Sequence, residues 1–154
     1  MPEIDIFGIM KTLKHRYPFL MVDRITDYDD MHVTGYKNVT FDEPFFQGHF
    51  PGDPTMPGVL IVDSMGQVAS VLLGIKLGAE QGSKIAFLTG MDKVRFRKPV
   101  RPGDKLVTKA ELTNVRSNSA KAKAKAYVDD EVVAEAEFLT IIADTLAKPQ
   151  EAES

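Results

Sequence analysis

The stretch GVLIVDSMGQVASVLLGIKLG, residues 58–78, constrains the fold of this chain more than any other. As a helix running from about 58 to about 80 it would span roughly 33 Å at ~1.5 Å per residue. Apolar residues occupy nearly all its faces, so other elements must wrap it. Its length would suit a membrane span, but Asp63, Gln67 and Lys76 are costly in lipid, so we expect a buried core helix and no membrane span. Pro57 and Gly58 open it, proline being well tolerated in a first helical turn. Gly78, Gly82 and the polar stretch GAEQGSK end it.

The wrapping elements are legible on both sides. Ile4, Ile6, Phe7, Ile9, Met10 and Leu13 have the spacing of a short amphipathic helix. After Pro18, FLMVDRITDYDD reads as a strand, Asp29 and Asp30 as a turn, and MHVTGYKNVT as the returning strand. Downstream, IAFLTGMDKVRFRKPV is extended and RPGD turns the chain into KLVTKAELTNVRS, which places Leu106, Thr108, Ala110 and Leu112 on one side. SAKAKAKAYV alternates strictly, with Lys121, Lys123 and Lys125 facing one way and alanines the other. That period of two outweighs alanine's weak strand propensity. Asp129-Asp130 then turns into EVVAEAEFLTIIAD. Strands around one all-round apolar helix imply an α+β layer architecture. With 154 residues we expect one domain over residues 1–147 and a flexible tail at 148–154.

The net charge of −3 argues against nucleic acid as a partner. The chain has no cysteine, which removes disulfides, thiolate metal sites and cysteine nucleophiles. No histidine or carboxylate spacing suits a metal site. The N-terminal residues carry early acids and no continuous apolar run, so no signal peptide is expected and the cytoplasm is the expected location.

The chemistry is concentrated just ahead of the helix. Pro51, Pro54 and Pro57 fix φ around His49, while Gly48, Gly52 and Gly58 permit unusual or close backbone geometry. A lone loop histidine is usually structural, but so rigid a loop suits a group that must be held in place. Asp63 falls in the second helical turn among Leu60, Ile61, Val62 and Met65. An acid there is often a solvated helix-start residue. These apolar neighbours instead predict a poorly solvated carboxylate needing partners or a raised pKa. Gln67, at i+4, lies on the same face, can orient it, and is expected with Gly58 at the substrate-binding site. The Gly58 backbone N–H, without an intrahelical acceptor, can polarise a substrate carbonyl. Such a set suits proton abstraction beside a carbonyl with loss of a neighbouring hydroxyl, and equally suits water attack on a thioester. His15 and His32 lie near strand starts and read as structural.

HRYPFLMVDR at 15–24, KNVTFDEPFFQGHFPGDPTMPGVLIVDSMGQ at 37–67 and RFRKPVRPGD at 95–104 resemble the 3-hydroxyacyl-acyl carrier protein dehydratases of bacterial type II fatty acid synthesis. The resemblance covers about residues 8 to 143, and its GHFPGxPxMPGVL segment is highly specific. It implies a hot-dog fold, an antiparallel sheet wrapped around a long central helix. It implies His49 and Asp63 as catalytic residues contributed by different subunits, with the Gly58 N–H on the thioester carbonyl. Homodimers with shared active sites, associating further into hexamers (trimers of dimers) in many members, would follow. No cofactor is implied; the acyl chain arrives on the phosphopantetheine of acyl carrier protein. One position departs from the pattern. The broad chain-length dehydratases usually carry glutamate where this chain has Asp63, and the related dehydratase/isomerase carries aspartate.

In this light the basic segment with Arg95, Arg97, Lys98, Arg101 and Lys105 is expected to dock the acidic carrier protein, although a solvated strand edge explains it as well. Phe45, Phe46, Phe87 and Phe96 suit an acyl tunnel or plain core. The expected reaction is dehydration of a (3R)-hydroxyacyl thioester to the trans-2-enoyl product. Dehydratase/isomerase, hot-dog thioesterase and non-catalytic acyl-carrier binding subunit are the alternatives.

Overall fold

The computed structural model describes residues 2–78 and 84–144. Helix α1 (Ile6–Thr12) is followed by β1 (Arg24–Tyr28) and β2 (His32–Asn38). A 3-10 turn at Pro44–Gln47 leads through a loop into α2 (Gly58–Leu77). Strands β3 (Lys84–Phe96), β4 (Lys105–Val115), β5 (Ser119–Val128) and β6 (Glu131–Asp144) follow. All six join one antiparallel sheet in the order β1-β2-β4-β5-β6-β3.

That order dictates where α2 must lie. It connects β2 to β3, which sit four steps apart across the sheet, a separation of about 19 Å at ~4.8 Å per strand. A helix of 20 residues, about 30 Å long, makes that crossing against the sheet face. α2 accordingly packs on β2, β3, β4, β5 and β6, the hot-dog arrangement.

The alternating strands supply the matching surface. Leu106, Thr108, Ala110 and Leu112 of β4 and Ala120, Ala122, Ala124 and Ala126 of β5 are all buried. The β5 lysines face outward, where Lys123 stands opposite Glu111 and Glu137 and Lys125 opposite Glu135. Such exposed cross-strand pairs add little stability each but fix which face is wet. On α2, Ile61, Val62, Met65, Val68, Val71, Leu72 and Leu73 are buried. The helix is long and apolar enough to cross a membrane, yet 72% of that stretch is buried inside this chain, which marks it as core. Its end is a left-handed glycine, Gly78 at φ 76°, whose N–H donates to the Gly74 carbonyl.

Two expectations change. The first helix begins at Ile6 instead of Ile4, because Asp5 caps it by accepting from the Gly8 N–H at 3.0 Å, and Ile4 pairs with Ile25. The strand expected from Phe19 begins at Arg24. Gln67 and Ser64 of α2 take the backbone groups of Phe19 and Met21, so these residues are tied to the helix, and bonding to β2 starts only with the Asp23 N–H on the Tyr36 carbonyl. The expected tail at 148–154 and the stretch 79–83 lie outside the described residues.

Strand β3 forms one edge of the sheet and pairs with β6 on its inner side. Phe87, Leu88, Met91, Val94 and Phe96 leave large apolar side chains exposed along it. Of the aromatic residues singled out above, Phe46 is core, Phe45 packs against it, and Phe87 and Phe96 are on this exposed edge.

Candidate active site

The loop carrying His49 is closed by its own backbone. Phe50 and Asp53 exchange N–H···O bonds of 3.1 and 2.9 Å, and the Thr55 N–H donates to the His49 carbonyl at 2.9 Å. The Thr55 carbonyl in turn lies 2.7 Å from His49 Nδ1. A carbonyl oxygen only accepts, so Nδ1 carries the proton and the neutral ring keeps its lone pair on Nε2. The Phe50 ring stacks on the imidazole with centroids 4.0 Å apart. Met56, buried, ties the loop to the core by donating its N–H to the Val100 carbonyl at 2.8 Å. The rigidity anticipated from prolines and glycines is thus completed by Thr55, a residue with no sequence signal of its own.

Asp63 is half-buried on the second turn of α2. Its Oδ2 accepts from Gln67 Nε2 at 2.8 Å. The same Nε2 donates to the Phe19 carbonyl at 2.8 Å, while Gln67 Oε1 accepts the Met21 N–H at 2.7 Å. Both amide hydrogens and the amide oxygen are engaged, so the group has one orientation and holds the carboxylate in one place. Burial pushes the Asp63 carboxyl above the usual carboxylate range, opposed by the Gln67 hydrogen bond and the charge of His15. His15, read from sequence as structural, thus contributes to the electrostatics of Asp63, and its Nδ1 is buried with no hydrogen-bond partner among the described residues. His32 is exposed and paired with Asp29 at 3.1 Å, in keeping with a structural role.

The raised Asp63 pKa carries a stability consequence. At low pH, below roughly 4, the carboxyl holds its proton in both the folded and unfolded states. As pH rises the unfolded chain ionises first, so native stability falls through the folded-state pKa and stays reduced above it. Asp63→Asn removes that penalty and keeps an acceptor for Gln67. The variant is expected to melt at a higher temperature than the parent at pH 7, with the difference closing towards pH 4, as read by thermal unfolding across pH.

Gly58 is the first residue of α2, whose Pro57 cap supplies no side-chain acceptor. The Leu60 and Ile61 N–H groups both turn to the Pro57 carbonyl, at 3.0 and 3.1 Å. The Gly58 N–H has no intrahelical acceptor. A Cβ at this position would lie 2.9 Å from the Phe96 ring, so only glycine lets that ring approach the helix start.

Among the described residues, no hydrogen bond or ion pair joins His49 to Asp63 within the chain. The basic segment is also dispersed. Arg97 pairs with Glu135 (Nε to Oε2, 2.7 Å), Lys98 with Glu131, and Lys105 lies 4.0 Å over the Tyr36 ring. Arg95 stands opposite Glu135 in register. Arg101 reaches Asp53, on the histidine loop, at 2.8 Å. The approach to that loop has another anchor that the sequence did not reveal. Buried Lys37 of β2 pairs with Glu43 at 2.6 Å and donates to the Asn38 carbonyl at 2.9 Å.

Comparison with known proteins gives consistent results. Residues 13–137 match the model of the FabA-like domain family. The chain is 52% identical over 139 residues to a protein of Syntrophobacter fumaroxidans named 3-hydroxyacyl-(acyl carrier protein) dehydratase FabZ, covering 90% of this chain and 94% of that one. A protein of the same name from Desulfotalea psychrophila is 51% identical, covering 89% and 92%. Among solved structures, the dehydratase heterocomplex ApeI:P from Xenorhabdus doucetiae superposes with a TM-score of 0.76 at 18% identity, over 89% of this chain and 91% of that one.

Proposed function

The chain belongs to the FabA-like domain family and catalyses the dehydration of 3-hydroxyacyl chains on acyl carrier protein in fatty acid biosynthesis, and on that premise we propose that His49 and Asp63 are its acid/base pair. The observation that carries the assignment is the 2.7 Å contact from His49 Nδ1 to the Thr55 carbonyl, which leaves Nε2 as a base. His49 Nε2 takes the C2 proton of the (3R)-hydroxyacyl thioester, and the released electron pair forms the C2=C3 double bond. The C3–O bond breaks, and the hydroxyl leaves as water with the proton from Asp63. Burial favours a protonated Asp63, which suits it to act as the acid. The Gly58 N–H donates to the thioester carbonyl as negative charge gathers there. Gln67 is the residue that holds Asp63 in place. The scheme calls for no cofactor beyond the carrier's phosphopantetheine.

Within one chain His49 and Asp63 are not joined, and β3 offers an open edge with exposed Phe87, Met91 and Phe96. We read this edge as the contact between two copies, giving a homodimer whose sites each take His49 from one subunit and Asp63 from the other; hexamers would be trimers of such dimers. Arg95, Arg97 and Lys98 are proposed to meet the acidic carrier. Arg97 and Lys98, paired with Glu135 and Glu131, are themselves solvent-exposed, so exchanging those partners for carrier carboxylates costs little. The cytoplasm is the proposed location, in keeping with the cysteine-free sequence.

The test is hydration of a 2-enoyl thioester, followed by loss of enoyl absorbance. Turnover that is stereospecific and releases no free thiol supports dehydratase chemistry; thiol release without hydration would identify a thioesterase. Asp63 itself favours a second reading, since aspartate at this position is the pattern of the dehydratase/isomerase. Asp63→Glu is expected to retain measurable activity, lowered by at most about 100-fold, the carboxylate moving by roughly an ångström. Double-bond position in the products of both proteins decides whether isomerisation accompanies dehydration.

A further inference from the structure

Residues 97–104 form the strap that carries the chain from β3, at the sheet edge, to β4 near its middle. Val100, fully buried, pins the strap to the core. The Arg101–Asp104 turn is closed by the Arg101 N–H donating to Asp104 Oδ2 at 2.8 Å and the Asp104 N–H to the Arg101 carbonyl at 3.1 Å. It is fastened next to the end of β2 by Gly103 N–H to the Val39 carbonyl, 2.8 Å, and Val39 N–H to the Asp104 carbonyl, 2.9 Å. From this fixed base the Arg101 side chain reaches back to the histidine loop. Its Nη1 lies 2.8 Å from Asp53 Oδ1, 3.2 Å from the Pro54 carbonyl and 3.4 Å from Thr55 Oγ1.

We propose that Arg101 is a positioning residue for His49, acting through the Asp53–Thr55 segment, and not primarily a docking residue for the carrier; this rests on His49 being the catalytic base. Nη1 has two hydrogens and three acceptors around it, all on consecutive residues of one loop. Thr55, the last of the three, owns the carbonyl that fixes the His49 tautomer. The Phe50–Asp53 turn, with Gly52 at φ 77°, is closed by its own two bonds and so moves as a unit. Met56 holds that unit from behind, and Arg101 holds it from the strap. An isolated exposed ion pair would contribute little. Here one planar group on a rigid turn fixes three successive residues, and a loop displaced by about 1 Å can slow catalysis as much as ~100-fold.

The full-length protein separates the two roles when enoyl hydration is measured with the chain on acyl carrier protein and on coenzyme A. For Arg101→Ala we expect kcat to fall about tenfold on both thioesters, a loss that misplacement of a reacting group accounts for. Asp53→Asn should lower kcat in the same direction, although removing an acid beside a docking surface would leave carrier binding unchanged or tighter. Nitrogen-15 NMR of the imidazole should show His49 losing its single Nδ1–H tautomer in both variants. Arg101→Lys should recover part of the activity. A rise in KM confined to the carrier substrate, with coenzyme A kinetics of the parent, overturns the proposal, as does no change at all. Should Arg101→Ala not fold, Asp53→Asn decides alone. His49→Ala, run in parallel, isolates the premise: retained activity there sinks the assignment of His49 whatever Arg101 does.

Discussion

Replacing His49 with alanine will slow hydration of enoyl thioesters by about a thousandfold, the range a positioned proton-transfer group supplies. The fold should survive. The imidazole lies half-buried in a loop, and its loss removes one hydrogen bond to the Thr55 carbonyl and one ring contact with Phe50, a stability change of about 1 kcal/mol. Circular dichroism and thermal unfolding check that point, and the initial rate of enoyl absorbance loss checks the first. The loop stays closed without the ring, because the Phe50–Asp53 turn and the Thr55 N–H bond to the residue 49 carbonyl are backbone contacts. A variant that is folded and still active would remove His49 from the mechanism. It would leave Asp63 as the proton carrier needing another base, and His15, already within electrostatic reach, would be the next to replace.

Mixing two inactive variants will restore activity. In the proposed homodimer, the His49→Ala and Asp63→Ala variants each lack one member of both sites. In a mixed dimer one site holds both lesions and the other holds neither. Random exchange makes about half the dimers mixed, each with one of its two sites intact, so recovery should approach about a quarter of the parent rate. The starting point is near zero, which makes the signal large. The prediction comes from the lack of any His49–Asp63 contact within the chain together with the open β3 edge. No recovery after verified subunit exchange would place both groups of each site on one chain. Subunit exchange is checked by native mass spectrometry of the mixture.

The parts of this molecule that can be read from sequence are those governed by local period. Alternation in β4 and β5 places Leu106 to Leu112 and Ala120 to Ala126 on the buried face, and all-round apolarity makes 58–77 a wrapped helix. Proline and glycine spacing points to His49 in the same way. What escapes such reading depends on contacts between residues far apart in sequence. Phe19 to Asp23 has the composition of a strand, yet Gln67 and Ser64 take the backbone groups of Phe19 and Met21 from more than 40 positions away. Arg101 looks like one more cation in a basic run until Asp53, 48 positions distant, is found beside it. The pairing of Lys37 with Glu43 is closer in sequence, but follows no helical or strand spacing. The proposed site lies where the two kinds of information meet. Its proposed reacting groups stand in a recognisable segment, and part of their support, from Arg101, Val100 and the Phe19–Met21 backbone, comes from elsewhere in the chain.

The four alanines that β5 turns towards the core set how closely α2 lies on the sheet. A methyl group is the thinnest side chain that still fills a packed layer, so these residues act as mechanical shims under the helix. The forward end of that helix carries Asp63 and the Gly58 N–H. Thickening one shim, Ala124 for instance, would tilt the helix as a lever and move both groups together relative to the His49 loop, which is fastened elsewhere, to Val100 and Arg101. Substitutions along this inner ladder would therefore shift the proposed site while leaving His49, Asp63 and Gly58 unchanged.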